Sequence, residues 1–204
     1  LLSKNKGIEF MLKAMPAVIE ADPSVLYVIL GMTHPSVLKH DGESYRFGLQ
    51  QMVKELGCTE HVVFHNRFVD DKELHNFLCA ADIYVTPYLA REQLTSGTLS
   101  FAVGTGKAVV STPYWAAMEL LANGQGKIVE FGSSNQLSET IVEIHELTLN
   151  PPGHPPGQGH PKMDRSGDAC HSLYNVVHKV HSKLIFPLPD WLLAICLHNH
   201  PSTF

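Results

Sequence analysis

Small hydroxyl residues and a glycine follow an apolar, strand-like run near the middle of the chain. The run covers residues 82–87, and Thr95, Ser96, Gly97 and Thr98 come after a short polar loop. Residues of these types begin helices, because their side chains accept hydrogen bonds from N–H groups of the first turn. The remaining N–H groups and the positive end of the helix dipole attract anions. We therefore predict an anion site at residues 95–98, with phosphate as the expected anion.

Lys6 stands directly before Gly7 and the helical apolar pattern of residues 8–21. A lysine at a helix N-terminus is unfavourable unless an anion offsets its charge. We predict that Lys6 contacts phosphate, and the alternative is a solvated residue at a helix start.

Polar side chains also follow two other predicted strands. Thr33 and His34 come after the apolar run 26–30, and Asn66 and Arg67 come after the run 61–64. Ligands of open α/β sheets bind beyond the carboxyl ends of the strands. His34 could contact a ligand there or simply hydrogen-bond its own loop, and Arg67 could neutralise a diphosphate or lie on a solvated rim. Packing under the loops is the favoured interpretation for Tyr88, Tyr114 and Trp115, which also follow strand ends.

Helical and strand-like patterns alternate along the first three quarters of the chain. We expect a doubly wound α/β domain with a parallel sheet over residues 1–149. The predicted helices cover residues 8–21, 45–56, 71–81, 95–104, 116–121 and 133–147, and the predicted strands cover residues 26–30, 61–64, 82–87, 108–111 and 127–131.

Residues 150–204 have a different composition. Eight of the 13 prolines and seven of the 13 histidines lie there. We predict a Pro/His-rich, disordered tail with a possible helix at 171–185, because proline and glycine disfavour regular structure. The histidine spacing matches no closed set of metal ligands. The most apolar late run, residues 191–197, is too short to cross a bilayer, which takes about 20 residues.

Composition limits the function classes. A net charge of -5 argues against nucleic acid as the main partner. Four cysteines without metal-ligand spacing favour small buried thiols and a reducing, cytoplasmic location. The chain begins at Leu1 without a methionine, as though a preceding strand had been removed.

Several motifs together resemble a known family. They are KGIE at residues 6–9, LYVILG at 26–31, HVVFHNRFVDDKELHNFLCAADIYVTPY at 61–88, TSGTLSFAVGTGKAVVSTPYW at 95–115 and ELLANGQGKIVEFG at 119–132. This order is similar to the carboxyl-terminal, donor-binding half of GT-B glycosyltransferases of family 4 (group 1). The resemblance implies retaining transfer of a sugar from a nucleoside diphosphate sugar, with no essential metal or other cofactor, in a cleft between two Rossmann-like domains.

The resemblance also implies residue roles. Lys6 matches the donor-phosphate lysine, Thr33 and His34 the loop after the second strand, and residues 66–68 the nucleobase site. Residues 94–98 match the loop whose N–H groups hold the donor's phosphates and sugar. Two departures are clear. Gln93 and Phe101 fall where the family has two glutamates. Gln93, with Glu92 beside it, is therefore the candidate catalytic residue. Phe101 cannot accept a hydrogen bond from a hydroxyl group of the donor's ribose.

The resulting hypothesis is a nucleotide-sugar-binding domain that is inactive without an amino-terminal acceptor domain. The alternative is a non-catalytic nucleotide-binding or interaction module, such as a truncated product. A dinucleotide-dependent oxidoreductase is disfavoured, because no GxGxxG motif links a predicted strand to a helix.

Overall fold

A computed structural model describes residues 2–149 and the backbone of residues 192–196, and side-chain positions are described for residues 2–147. Within these ranges the α-helices are α1 (Ile8–Ala21), α2 (Pro35–Asp41), α3 (Ser44–Glu55), α4 (Asp71–Ala80), α5 (Gly97–Gly104), α6 (Trp115–Leu120) and α7 (Ser134–Leu149). The strands are β1 (Leu26–Leu30), β2 (Val62–His65), β3 (Ile83–Thr86), β4 (Ala108–Ser111), β5 (Lys127–Ile128) and β6 (Leu192–Cys196).

The six strands form one sheet in the order β2-β1-β6-β3-β4-β5. The β1–β2, β3–β4 and β4–β5 pairs are parallel, as the alternating pattern predicted. Strand β6 is antiparallel to both β1 and β3. The predicted parallel sheet is confirmed for the strands of residues 1–149, whereas the prediction of a disordered tail is wrong at Leu192–Cys196, which adds an antiparallel strand.

Both faces of the sheet are covered, which explains the continuous apolar run of β1. Tyr27 and Ile29 belong to one buried cluster, together with residues of α1, α3 and α7. Val28 and Leu30 belong to a second cluster on the opposite face, together with residues of α4, α5 and α6. Successive side chains of a strand point to opposite faces, so a strand buried on both sides is an almost continuous apolar run.

Most predicted elements are confirmed, and α1, β1 and β4 have the predicted bounds. Helix α2 was missed: Pro35 occupies its first turn, where a proline costs no hydrogen bond, and His34 caps it. Strand β5 is shorter than predicted and lies at the sheet edge. The predicted helix at 171–185 lies outside the described residues, and the division of the chain at residue 149 stays a prediction.

The turn before α1 is held against the end of β3. Gly7 has a φ of 63°, and a Cβ atom added there would lie 2.0 Å from the carbonyl oxygen of Pro87. Only glycine satisfies both conditions, because other residues disfavour a positive φ and carry the clashing atom. The 3-10 turn Lys4–Lys6 is thereby fixed at the carboxyl edge of the sheet.

Replacing Gly7 with alanine should lower the free energy of unfolding by about 3 kcal/mol, since backbone strain and overpacking each cost about 1–2 kcal/mol. Gly57→Ala is the matched control. Gly57 also has a positive φ of 67°, but an added Cβ meets nothing within 4 Å. The control should lose only about 1 kcal/mol. Urea denaturation measures both values, and equal losses would contradict the proposed contact with Pro87.

Candidate functional site

The Lys6–Gly7 turn brings the predicted phosphate lysine to the end of β3. The amide of Leu89 donates a hydrogen bond of 2.9 Å to the carbonyl oxygen of Asn5. The Nζ atom of Lys6 lies 3.8 Å from the centroid of the Tyr88 ring, a cation–π contact. Burial lowers the pKa of Lys6 to about 8. An anion beside this ammonium group would favour its charged form.

A layer of buried hydroxyl groups lies beneath this lysine. The Tyr84 hydroxyl donates to Thr98 Oγ1 at 2.6 Å, and the Thr86 hydroxyl donates to Ser111 Oγ at 2.8 Å. The Tyr88 and Tyr114 rings stack with their centroids 5.1 Å apart. Both tyrosines are buried, as predicted, but the same prediction is wrong for Trp115, which is 50% exposed. The layer joins β3 and β4 to the first turn of α5 without leaving these hydroxyls unpaired.

Helix α5 begins as the sequence predicted. Ser96 is its N-cap, and the Ser96 side chain accepts from the amide of Leu99 at 3.4 Å. The Ser96 and Thr98 side chains are buried, and the Thr98 hydroxyl accepts the hydrogen bond from Tyr84. Their hydroxyl groups are therefore committed to the fold, whereas Thr95 and Gly97 are exposed.

The backbone at the start of α5 faces open space. An added Cβ at Gly97 would meet nothing within 4 Å. The amides of Gly97 and Thr98 donate to no acceptor in the described part of the chain. Free N–H groups at a helix N-terminus are a ready site for an oxyanion.

The loop that leads into α5 is pinned to α6. The carbonyl oxygen of Arg91 accepts from the amide of Trp115 at 3.0 Å, and that of Gln93 accepts from the amide of Ala116 at 3.1 Å. The Gln93 side chain donates to the carbonyl oxygen of Thr95 at 3.0 Å. Glu92 is exposed. The catalytic role assigned to Gln93 and Glu92 stays a prediction.

Thr33 and His34 lie where β1 meets the start of the chain. The His34 amide donates to the carbonyl oxygen of Leu2, and the Leu2 amide donates to that of Met32. The Thr33 hydroxyl donates to Glu43, and His34 Nδ1 accepts from the Ser36 amide at 3.1 Å. Both side chains make local contacts here, and their donor-binding role stays a prediction.

Asn66 and Arg67 lie at the end of β2, on the far side of β1 and β6 from Lys6. Asn66 is exposed. The Arg67 guanidinium pairs with the Glu73 carboxylate, with one contact at 2.8 Å, so its charge is partly neutralised. Their proposed contact with a nucleobase stays a prediction.

His65 is a buried residue near these positions that the sequence did not single out. Its Nε2 atom has no hydrogen-bond partner in the described residues, and its ring packs 5.3 Å from Phe77. Burial and the nearby Arg67 charge lower the pKa of His65 to about 4, so the ring is neutral at pH 7. A histidine that ends an apolar strand gives little sequence signal, because such a position looks like a solvated strand end.

The described ranges were also compared with three other kinds of site: a groove, a metal site and a membrane-spanning helix. A groove between α1 and α7 is lined by Glu20, Glu139, Glu143 and Glu146 and contains none of the predicted site residues. No cluster of three or more potential ligands for a metal ion occurs in residues 2–147. No described helix is both long and apolar enough to cross a membrane.

Comparison with known proteins gives relatives for the described domain. A GDP-mannose-dependent monoacylated alpha-(1-6)-phosphatidylinositol monomannoside mannosyltransferase of Corynebacterium glutamicum is 29% identical over 150 residues, which are 70% of this chain and 35% of the relative. The Anabaena Alr3699/HepE structure in complex with UDP is 26% identical, with a TM-score of 0.62, over 72% of this chain and 37% of that one. The C-terminal domain of a group 1 glycosyl transferase (LpcC) of Francisella tularensis shares the fold, with 23% identity and a TM-score of 0.61 over 71% of both chains.

The matched region thus spans about a third of the mannosyltransferase and of HepE. The family model described as glycosyl transferases group 1 matches residues 1–146, which include the whole Lys6–Thr98 site. The resemblance expected from the sequence is confirmed, and the fold is that of a GT-B donor-binding half. The chain belongs to the group 1 glycosyltransferases.

Proposed function

We propose that this domain binds a nucleoside diphosphate sugar as the donor for a retaining glycosyl transfer. The observation that carries the proposal is the pair of amides at Gly97 and Thr98, which donate to no acceptor among the described residues, beside the open space at Gly97. Tyr88 links this turn to Lys6, because the lysine lies over its ring and its hydroxyl lies near those of Ser96 and Thr98. Fixed N–H groups and an ammonium group are the donors that a diphosphate needs.

The proposed chemistry is electrostatic. Negative charge develops on the leaving nucleoside diphosphate as the bond to the sugar breaks, and prearranged donors stabilise that charge. The amides of α5 and the Lys6 ammonium would supply this stabilisation, so the proposal requires no metal ion or other cofactor. Gln93, with Glu92 beside it, would contact the sugar from the loop before α5.

The nucleobase would lie toward β2. Strands β2 and β3 are three positions apart in the sheet, which corresponds to about 14 Å at normal strand spacing. An extended nucleoside diphosphate bridges a distance of this order between the α5 amides and Asn66. Thr33 and His34, at the end of β1, would border the middle of that path.

Exposed apolar side chains near the same edge favour a second domain as partner. Trp115 and Met118 are 50% and 51% exposed one turn apart on α6, and Leu94 is 71% exposed in the adjoining loop. Exposed apolar residues that cluster in this way mark interaction surfaces. We infer that an acceptor-binding domain covers this surface and that residues 1–204 alone transfer no sugar.

The relatives guide the choice of nucleotides. The mannosyltransferase is named for GDP-mannose, and the HepE structure contains UDP. Isothermal titration of the full chain with UDP, GDP and their sugar conjugates tests the donor site directly. Binding of at least one of them supports the proposal, whereas no binding to any favours an interaction module without a nucleotide site.

Replacing Gly97 with phenylalanine should weaken binding of the preferred nucleotide at least about 50-fold, because the side chain covers amides whose hydrogen bonds to phosphate contribute about 1.5–3 kcal/mol each. Gly104→Phe is the matched control at the other end of α5, where an added Cβ also meets nothing within 4 Å. The free energies of unfolding of both variants should lie within about 1 kcal/mol of that of the original chain. Equal nucleotide affinities in the two variants would contradict an amide site at α5.

Lys6→Ala should weaken nucleotide binding about 10- to 100-fold, the usual contribution of a charged hydrogen bond. Lys4→Ala is the control, because Lys4 is exposed in the same turn. It should change the affinity less than about twofold, since an exposed charge is screened by water. A comparable loss in both variants would indicate a general charge effect instead of a contact at Lys6.

The Lys6 contact should also depend on pH. Since the pKa of Lys6 is about 8, the ammonium group of the unbound protein is lost as the pH rises from 7 to 9. Affinity should fall by up to about tenfold over this range, one decade per pH unit above the pKa. The Lys6→Arg variant keeps its positive charge over this range, so it should bind the nucleotide with the same affinity at pH 7 and at pH 9. A flat pH profile for the original chain would contradict the role of Lys6.

A further inference from the structure

Helix α5 exposes one large side chain among small residues. Its exposed positions are Gly97, Ser100, Phe101 and Gly104, which share one face of the helix. An added Cβ at either glycine would meet nothing within 4 Å, and the Ser100 hydroxyl donates to the carbonyl oxygen of Ser96 at 3.2 Å. Phe101 is 51% exposed. Its ring is therefore the one large group on the exposed face of α5.

The Phe101 ring stands next to the free amides at the start of α5. Residues four apart on a helix have Cβ positions about 5–6 Å apart on the same face, so Phe101 follows Gly97 directly. Helical side chains also point back toward the N-terminus of the helix. The ring still leaves the amides open, because no described atom lies within 4 Å of an added Cβ at Gly97. A ligand held by the amides has room between Gly97 and the ring.

The exposed side chains of α5 offer no free polar group to such a ligand. The Ser100 hydroxyl is bonded to the backbone of Ser96, and the two glycines have no side chain. A phenyl ring provides contact area for carbon atoms, but it forms no ordinary hydrogen bond with a hydroxyl group. Hydroxyl groups of the ligand at this place would therefore keep their hydrogen bonds to water.

A nucleoside diphosphate sugar has two rings next to its phosphates, the transferred sugar and the pentose. The proposed function assigns the transferred sugar to Gln93 and Glu92, in the loop before α5. The pentose is joined to the other end of the diphosphate. The ring of Phe101, which follows the amides within the helix, is thus left for the pentose.

We infer that Phe101 is the platform for the pentose and that the site accepts 2′-deoxyribonucleotides as readily as ribonucleotides. The platform role rests on the proposed function, since it needs a diphosphate at the α5 amides. A site that reads a hydroxyl group through hydrogen bonds rejects an analogue without it, because its own polar groups are left unpaired. The phenyl ring leaves no polar group unpaired when the 2′-hydroxyl is removed.

The selectivity is measured on the unsubstituted full chain. Isothermal titration compares UDP with 2′-deoxy-UDP, and GDP with 2′-deoxy-GDP. The two affinities of the pair that binds should agree within about threefold, less than a well-formed hydrogen bond contributes. A larger preference for the ribonucleotide would overturn the inference.

Two variants test the ring itself. Phe101→Ala should weaken both members of the pair about 3- to 10-fold, because the contact with an aromatic ring is lost. Phe101→Gln supplies a hydrogen-bond acceptor without adding charge beside the diphosphate. It should prefer the ribonucleotide about 5- to 10-fold.

The matched control is Phe47→Ala, since Phe47 is 59% exposed on α3 and lies outside the predicted site residues. It should leave both affinities unchanged. An unchanged affinity in Phe101→Ala, or an equal loss in Phe47→Ala, would overturn the platform role while nucleotide binding remains. Absence of binding to every nucleotide would overturn the proposed function and the platform role together. Thermal denaturation checks that the substituted chains fold, and the comparison of the paired nucleotides needs no substitution.

Discussion

The close approach of Gly7 to Pro87 is the contact on which the proposed site depends. A single added carbon would lie 2.0 Å from the Pro87 oxygen, so the two backbones touch without any side chain between them. This contact carries the start of the chain to the end of β3. The hydrogen bond from Leu89 to Asn5 and the position of Lys6 over Tyr88 follow from it. A side chain at residue 7 would move the lysine away from the Tyr88 ring.

The buried hydroxyl layer converts that contact into a prearranged anion site. Tyr84 holds the first turn of α5 through its hydrogen bond to Thr98, and Ser96 caps the same turn. Because these hydroxyls satisfy one another, the amides of α5 are fixed without help from a ligand. Prearranged donors stabilise developing charge without reorganisation during the reaction. The half-buried Lys6, with its lowered pKa, adds a cation that a bound diphosphate would favour.

The sequence predicted the elements better than the orientation of side chains within them. The periodic patterns of α1 and β1 predicted both elements with their observed bounds. The hydroxyl residues before α5 predicted a helix start, but not that Thr98 turns inward, because its partner Tyr84 lies on another element. Thr86 and Ser111 likewise meet only through the pairing of β3 with β4. Strand β6 was not predicted as part of the sheet, because a five-residue apolar run after a long connection carries no local signal of its pairing.

The central claim is that the first turn of α5 and Lys6 together hold the diphosphate of a nucleotide. The most direct measurement is a titration of the 15N-labelled chain with UDP and GDP, followed by two-dimensional amide spectra. The account predicts that saturable shifts with the bound nucleotide are largest for the amides of Lys6, Gly97 and Thr98. Shifts confined to other regions, such as the acidic groove between α1 and α7, would contradict it. So would spectra that remain unchanged with both nucleotides.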